Sequence, residues 1–578
     1  MTRSRVTSTV ILIVGLASLF FYLRGRPTDN ASPRPQATGP QELVATVRSE
    51  PRSFNRLVAR DRTSNLVSLL LHGKLVRINL ETQEVEPALA ERWSSSADGR
   101  TWTLALRRGV AFSDGQPFTS ADVLFSLEAA YDPKVASPLA DSLMIDGQPL
   151  EVAAPDDHSV VITFPAPFGP GVRLLDNLVV LPRHKLRQAL TAGTLREAWG
   201  LAANPADMAG LGPFVLREYR PGDRLVFARN PHYWRKDDTG RQLPYLDRLV
   251  LEIVPDQNAE MLRLEGGQAD LTTGEVRPDD LAAIRKAAAD GRLALHDLGV
   301  GLDPDFLWFN LTDAFGRSHP QKSWMQQREF RSAVSLAVDR EAFANTVYLG
   351  GGIPVSGPVT TGNRAWHDPS IPLVPYDPAR ARALLAEVGL RDRDGNGVLD
   401  TPGGAPAGFA LLTQKGNTLR ERSAAFIQED LRKVGLVVDV VTLEQPAVIE
   451  RLTKGDYEAI YFGTQASDTD PAMNLDFWRS SGAFHAWNPG QSVPATPWER
   501  RIDELMQAQV RSQDPSERVR LFGDVQRLFA QEQPAIYFVA PRIAIATSRR
   551  VVGARPALIH PMVLWSADTL SVAPVPSP

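Results

Sequence analysis

The sequence contains no cysteine. That absence excludes disulfides, thiolate zinc sites, iron–sulfur clusters, a cysteine nucleophile and a lipid-modified cysteine. It also lets the chain live in an oxidising compartment with nothing to mispair. An excess of one charge is lacking too. Lys and Arg number 63 against 67 for Asp and Glu, a net charge of −4. This gives no basic footprint and so no sign of a nucleic-acid partner. Only one long apolar run occurs, so the chain is not a polytopic membrane protein. The phosphate-loop pattern GxxxxGKS/T, HExxH and a GxSxG elbow are all missing. No internal repeat of about 20–50 residues is present, which disfavours a solenoid or propeller.

What is present is a chain of 578 residues, 43% hydrophobic and 22% charged, close to globular averages. At roughly 100–200 residues per domain the length suggests two to four structural units. Its 45 prolines exceed the usual share of about 5% and predict many short elements joined by turns. Arg3 and Arg5 precede an apolar run from Val6 to Leu23, and Arg24 and Arg26 follow it. The run is long enough for a bilayer-spanning helix and longer than a signal-peptide core of about 7–15 residues. Tyr22-Leu23-Arg24-Gly25 is a poor cleavage site, so residues 1–26 read as a signal or anchor segment, with an uncleaved anchor preferred over a removed export signal. Residues 27–40 are a Pro-rich polar linker that cannot pack a core.

Beyond the linker, period-2 and period-3.6 patterns alternate. Trp102, Leu104 and Leu106 share one face of a half-buried strand, and Val160, Ile162 and Phe164 share another. Thr119 with Asp122 caps a helix carrying Val123, Leu124 and Leu127. Leu249–Val254 is nearly all apolar, as in a strand covered on both faces. Asp256 caps a short helix with Met261, Leu262 and Leu264. Asp377-Pro378 and Asp514-Pro515 each place a cap before a proline at the first helical position. Helices are predicted from Ala424 to Val434 and from Val448 to Lys454, with strands at Leu436–Leu443, Tyr457–Phe462 and Ala535–Val539. Such strand–helix–strand units imply an α/β architecture with mixed sheets.

Few patterns carry chemistry. His367-Asp368 is the one adjacent His–acid pair and reads as a solvated loop. Gly350-Gly351-Gly352 follows a helix and reads as a helix stop. Asp468-Thr-Asp470-Pro471 follows a strand end, where α/β proteins place ligand contacts; a helix cap is the equal alternative. Asp392 to Asp400 places oxygen ligands at alternate positions with a Gly at the sixth, as in a calcium loop, but Gly403 stands where the bidentate Glu belongs. A tight turn is the preferred reading, and no metal or cofactor is expected. Trp366, Trp478, Trp487 and Trp498 lie in or beside Pro/Gly-rich loops, where some could line a pocket.

Several ordered stretches resemble a known family. They include Glu50-Pro-Arg-Ser-Phe54-Asn55, Pro87 to Trp93, Leu106 to Val123 with Asp114-Gly115-Gln-Pro117-Phe118, Arg229-Asn230-Pro231-His-Tyr233-Trp234, Gly267-Gln-Ala-Asp270, and Arg331 to Arg340. The chain is similar over about residues 42–545 to the bacterial extracellular solute-binding proteins of family 5, the peptide-, oligopeptide- and nickel-binding class of ABC transporters. The resemblance implies a two-lobed type II periplasmic-binding-protein fold. Residues 41–75, 182–298 and 536–578 would form lobe 1, residues 76–181 an inserted subdomain, and residues 299–535 lobe 2. His296–Asp303 and Gln533–Phe538 would be the crossings.

The resemblance also implies a function: capture of a peptide-like solute by hinge closure and its delivery to ABC permease subunits, by a monomer outside the cytoplasm, held to the membrane through Val6–Leu23, with no catalysis. The alternatives are a membrane-tethered ligand sensor and a periplasmic hydrolase. Peptide-binding members often place an Asp four residues before the loop proline to pair with the ligand's α-amino group. Here Ser467 holds that place, with Asp468 one position out of register, and Phe462-Gly463 replaces the usual strand-end Trp. The ligand contacts expected are Phe54 and Asn55 near the first strand, Asn310 after the hinge, Phe462, Asp468 and Asp470 at a strand end, and Trp487 in the loop beyond. For Phe54 and Phe462 a core role is an equal reading.

Overall fold

The apolar stretch predicted to be covered on both faces is buried almost throughout: Leu249, Val250, Leu251 and Ile253 are each under a tenth exposed. In the computed structural model, which describes residues 41–463 and 468–573, it is the strand Arg248–Ile253 of the largest sheet. The run Val6–Leu23 and the Pro-rich linker lie outside the described residues. Among the described residues no helix is long and apolar enough to cross a membrane.

The largest sheet has eight strands. Their order is Phe214–Arg220, Arg224–Arg229, Arg248–Ile253, Glu42–Val47, Leu271–Thr272, Val539–Ser548 and Leu293–Val300, with Gly352–Pro354 pairing the other end of Val539–Ser548. A second sheet of five strands runs Val437–Leu443, Gly408–Gln414, Ala459–Phe462, Phe306–Phe309 and Ala535–Tyr537. A third, antiparallel sheet orders Ala90–Ser95, Thr101–Leu106, Ser159–Thr163 and Glu151–Asp156. Its alternating residues Leu104, Leu106, Val160 and Ile162 are all buried. The helix Ser120–Tyr131 joins this core, its start fixed as the sequence implies: the Asp122 carboxylate accepts the Thr119 N–H at 3.0 Å. Residues 41–572 form one unit. The architecture is mixed α/β.

Three departures from the sequence reading have simple causes. The helix read from Ala424 begins at Thr418, capped by Asn417, whose side chain accepts the Arg420 N–H at 3.1 Å. Its first turns are polar, so apolar periodicity marks only the later ones. Leu262 is 71% exposed, because successive residues sit about 100° apart and the helix Gln257–Glu265 already turns Met261 and Leu264 to the core. The strand read at Ala535–Val539 is two strands in two sheets, Ala535–Tyr537 and Val539–Ser548. The Asp392–Asp400 loop is an Asx-turn cluster. Its carboxylates accept backbone N–H groups of Gly395, Gly397, Asn396 and Arg393.

His72 ends the helix Arg62–Leu71 inside the core, stacked on Trp199 at 5.9 Å with neither ring nitrogen hydrogen-bonded. Burial, aided by Arg56, holds its pKa down at about 4. The unfolded imidazole titrates near 6.5, so the unfolded state binds the proton more tightly and acid favours unfolding. This contribution is intact above about pH 6.5 and is lost as the pH falls towards 4. A shift of that size corresponds to roughly 3 kcal/mol. His72→Phe is expected to flatten the loss of stability between pH 6.5 and 4, measured by urea unfolding across that range. An unchanged slope would contradict the assignment.

Candidate functional site: the gap between two sheets

Strand direction defines the site. In the eight-stranded sheet, Glu42–Val47 runs parallel to Arg248–Ile253 and to Leu271–Thr272. Val539–Ser548 is antiparallel to both Leu271–Thr272 and Leu293–Val300, so Leu293–Val300 shares their direction. In the five-stranded sheet, Gly408–Gln414 is parallel to Val437–Leu443 and Ala459–Phe462, while Phe306–Phe309 opposes Ala459–Phe462 and Ala535–Tyr537. The chain leaves the larger sheet at the carboxyl end of Leu293–Val300 and returns from the carboxyl end of Ala535–Tyr537. The carboxyl ends of the parallel strands in both sheets therefore face the two crossings. Open α/β sheets bind ligands outside those ends.

A cavity of about 130 Å³ lies beside the crossings. Leu302, Asp303 and Pro304 of the first crossing and Tyr537 of the second line it, with Phe306, Asn363, Asp468, Thr469, Asn474 and Phe477 among the other walls. Asp468 is not free. Arg173, from the 3-10 turn Gly171–Asn177, grips it with two teeth: Nη2 donates to Oδ1 at 2.6 Å, and Nε donates to Oδ1 and Oδ2 at 2.9 and 3.0 Å. Both side chains are over nine-tenths buried. Arg173 also donates to the Gln83 carbonyl at 2.9 Å and to Thr469 Oγ1 at 3.2 Å. Burial pushes the Asp468 carboxyl up from its ordinary range while Arg173 pulls it back. Burial likewise works against the Arg173 guanidinium, and Asp468 more than compensates. The two-toothed geometry favours the charged form of each.

Behind this pair sits a second one. Arg518 Nη2 donates to Asp470 Oδ1 at 2.6 Å, with its guanidinium 5.0 Å from the Trp366 ring. Asp470 also caps the turn Pro471–Met473 by accepting the Ala472 N–H at 3.0 Å. On the second sheet's edge, the Arg420 guanidinium lies 3.9 Å over Phe462 and pairs with Asp305 at 2.8 Å. Gly463 is required here, since a Cβ would meet Asp305 Oδ1 at 2.0 Å.

Of the seven residues named from sequence, Asp468 alone lines this cavity. Asp470 stands two positions beyond it and Phe462 ends the preceding strand, and they are engaged by Arg518 and Arg420. Phe54 is buried edge-on against Tyr219. Asn55 Nδ2 donates to the Leu195 carbonyl at 2.7 Å, and its Oδ1 accepts the Leu57 N–H. Asn310 donates to the Gly455 and Tyr457 carbonyls. Trp487 packs into an aromatic cluster with Phe477, Phe529 and His485. Arg173 escaped sequence reasoning because 295 residues separate it from Asp468, and nothing local marks it.

Removing one member of a buried ion pair strands the other, at a cost of about 3–5 kcal/mol. Arg173→Met and Asp468→Leu are each expected to destabilise the fold by that order. The double variant should lose far less than their sum. Urea unfolding of the four forms measures the coupling, and additive losses would contradict the pairing.

Comparison with known proteins agrees with this geometry. The family model "Bacterial extracellular solute-binding proteins, family 5 Middle" matches residues 84–486. A probable ABC transporter-binding protein of Deinococcus radiodurans is 26% identical over 523 residues, covering 87% of each chain. The oligopeptide-binding protein AppA of Bacillus subtilis is 25% identical over 568 residues, covering 95% of this chain and 96% of that one. The crystal structure of the ABC transporter substrate-binding protein CtaP from Listeria monocytogenes superposes with a TM-score of 0.74 at 20% identity, covering 93% of this chain and 100% of that one. With more than half of its length matched by the family model, and with a gap crossed twice at the strand ends, the chain belongs to the bacterial extracellular solute-binding proteins of family 5.

Proposed function

We propose that this protein captures a peptide-like solute in the gap between its two large sheets and delivers it to the permease subunits of an ABC transporter. The observation that supports this most is the shared orientation of the strands, which aims the carboxyl ends of both sheets at one gap bridged by two chain crossings. A ligand touching both walls binds the closed arrangement better and shifts the population towards it. In this reading residues 41–75, 182–298 and 536–578 move as one lobe and residues 299–535 as the other, with residues 76–181 carried on the first. Arg173 and Asp468 then join the walls in the closed arrangement. Asp468 serves as that joint rather than as an anchor for a ligand's ammonium group, since its charge is already met.

The peptide class is supported by the oligopeptide-binding relative. Val6–Leu23 would hold the protein, a monomer, to the outer face of the membrane, and it would release its solute unchanged. Thermal unfolding of the full chain against di- to pentapeptides, sugars and metal chelates tests this. A ligand at about 100 times its Kd stabilises the fold by about 2.7 kcal/mol. Stabilisation by peptides, with the peptide recovered intact, is the expected outcome. A shift with sugars or chelates alone, or steady product formation, would contradict it.

A further inference from the structure

A second cavity, of about 50 Å³, lies on the first sheet's side of the gap. It opens at the carboxyl ends of two neighbouring parallel strands: Arg48 and Ser49 follow Glu42–Val47, and Thr273 and Gly274 follow Leu271–Thr272. Arg62 and His560 close it from the other side. No Asp or Glu lines it.

The charges around it do not cancel. Arg48 is paired: its Nε donates to Glu260 Oε2 at 2.5 Å, and Glu260 is fully buried and also accepts from Thr46 Oγ1 at 2.8 Å. The Gln257 side-chain oxygen also accepts from Nη1 and Nη2 of Arg48, so these contacts fix the guanidinium in place and leave one N–H on each terminal nitrogen for a guest. The Arg48 Nη2 sits 3.1 Å from where a Cβ on Gly274 would be, so a side chain there would crowd the guanidinium. Arg62 has no ion pair or side-chain hydrogen bond among the described residues, and the His560 ring has no hydrogen bond there either. The nearest acid in sequence, Asp61, caps the helix through Oδ1 on the Ser64 N–H at 2.9 Å and neither pairs with Arg62 nor lines the cavity. One unmatched positive charge thus faces the cavity, with Arg48 held rigid beside it. Burial, with Arg62 and Arg48 close by, holds the His560 imidazole down at about 4, so at neutral pH the ring offers one N–H without adding charge.

We propose that this cavity is an oxyanion subsite that holds a carboxylate or phosphate group of the captured solute between Arg62, Arg48 and His560. The proposal deepens the solute-binding reading and rests on it for the identity of the guest as part of a transported molecule. The chemistry follows from the donor set. Guanidinium forks match the planar or tetrahedral oxygens of such anions, repel a metal or ammonium ion, and bind more strongly away from bulk water.

The test uses the full chain with histidine-selective carbon labelling, the His560 resonance being identified with His560→Gln. Inorganic phosphate and succinate are titrated separately. The expected result is a saturable shift of the His560 resonance with at least one of them, and the arm that responds names the oxyanion. Arg62→Gln, which removes an unpaired surface charge and spares the fold, should weaken that binding roughly tenfold or more. Arg317→Gln, at an exposed and loosely paired arginine, should leave it unchanged. No saturable shift with either anion, or equal affinity in Arg62→Gln, overturns the proposal. Thermal unfolding with peptides and their C-amidated forms separates the two readings. Equal stabilisation by both forms overturns the subsite and leaves solute capture standing. Saturable, Arg62-dependent anion binding without stabilisation by any peptide sustains the subsite and overturns the peptide assignment.

Discussion

Two passages between the large sheets, from Val300 to Phe306 and from Tyr537 to Val539, set the rest of the arrangement, and the strand Gly352–Pro354 makes a further excursion that pairs the start of Val539–Ser548. Each passage begins at a strand's carboxyl end, so the loops beyond the parallel strands of both sheets share one gap. A few covalent links leave the halves able to bend, and non-covalent ties then set how closely they sit. The ties differ in weight. Asp279 with Arg422 at 3.0 Å and Asp146 with Arg511 at 3.3 Å bridge distant parts of the chain but are exposed, and such pairs contribute little. Arg173 with Asp468 is buried on both sides, and breaking it strands a charge. That asymmetry makes Arg173 with Asp468 the weightiest of these three ion pairs.

Buried charge has a different character on the two sides of the gap. At the crossings, Arg173 meets Asp468 and Arg518 meets Asp470, so each acid is matched within the chain. On the floor of the first sheet, Arg48 is matched by Glu260 while Arg62 is not. The wall with complete pairs is structural in its electrostatics, and the wall with a surplus is where a solute's charge can be read. His560 belongs to the second wall and His72 to the core behind it. Both are neutral in the folded protein because burial opposes their charging. Acid therefore works against the fold at both places.

Much of the architecture was legible in the sequence because it rests on local rules. Period-2 runs such as Val160–Ile162 and caps such as Asp256, Asp377 and Asp514 need only their neighbours. Less was legible where the decision is made far away. The run from Ala535 to Val539 reads as one strand, and only tertiary structure reveals that it changes sheets at Phe538. Thr418–Ser423 is helical because Asn417 caps it, although its polar turns carry no apolar period. The site was least legible. Asp468 is singled out by its place after a strand end, and it lines the cavity beside the crossings already paired with Arg173. Asn55 and Asn310 drew attention as polar residues near strands, and their amides are occupied by backbone carbonyls. Arg173, Arg48, Arg62 and His560 stand in no motif, and their meeting depends on residues hundreds of positions apart.

The absence of cysteine makes the central claim directly measurable, because two introduced cysteines carry spin labels without competition. Asp290→Cys lies at the end of the helix Leu281–Ala289 beside the first sheet, and Thr453→Cys lies on the helix Gln445–Lys454 beside the second. The distance between the labels, measured by pulsed electron–electron resonance with and without a saturating peptide, reports whether the halves move. Closure around a ligand predicts a shorter and narrower distance distribution in the bound protein. Identical distributions in the two states would show that the gap does not close on a solute, and the account of the two crossings as a hinge would be wrong.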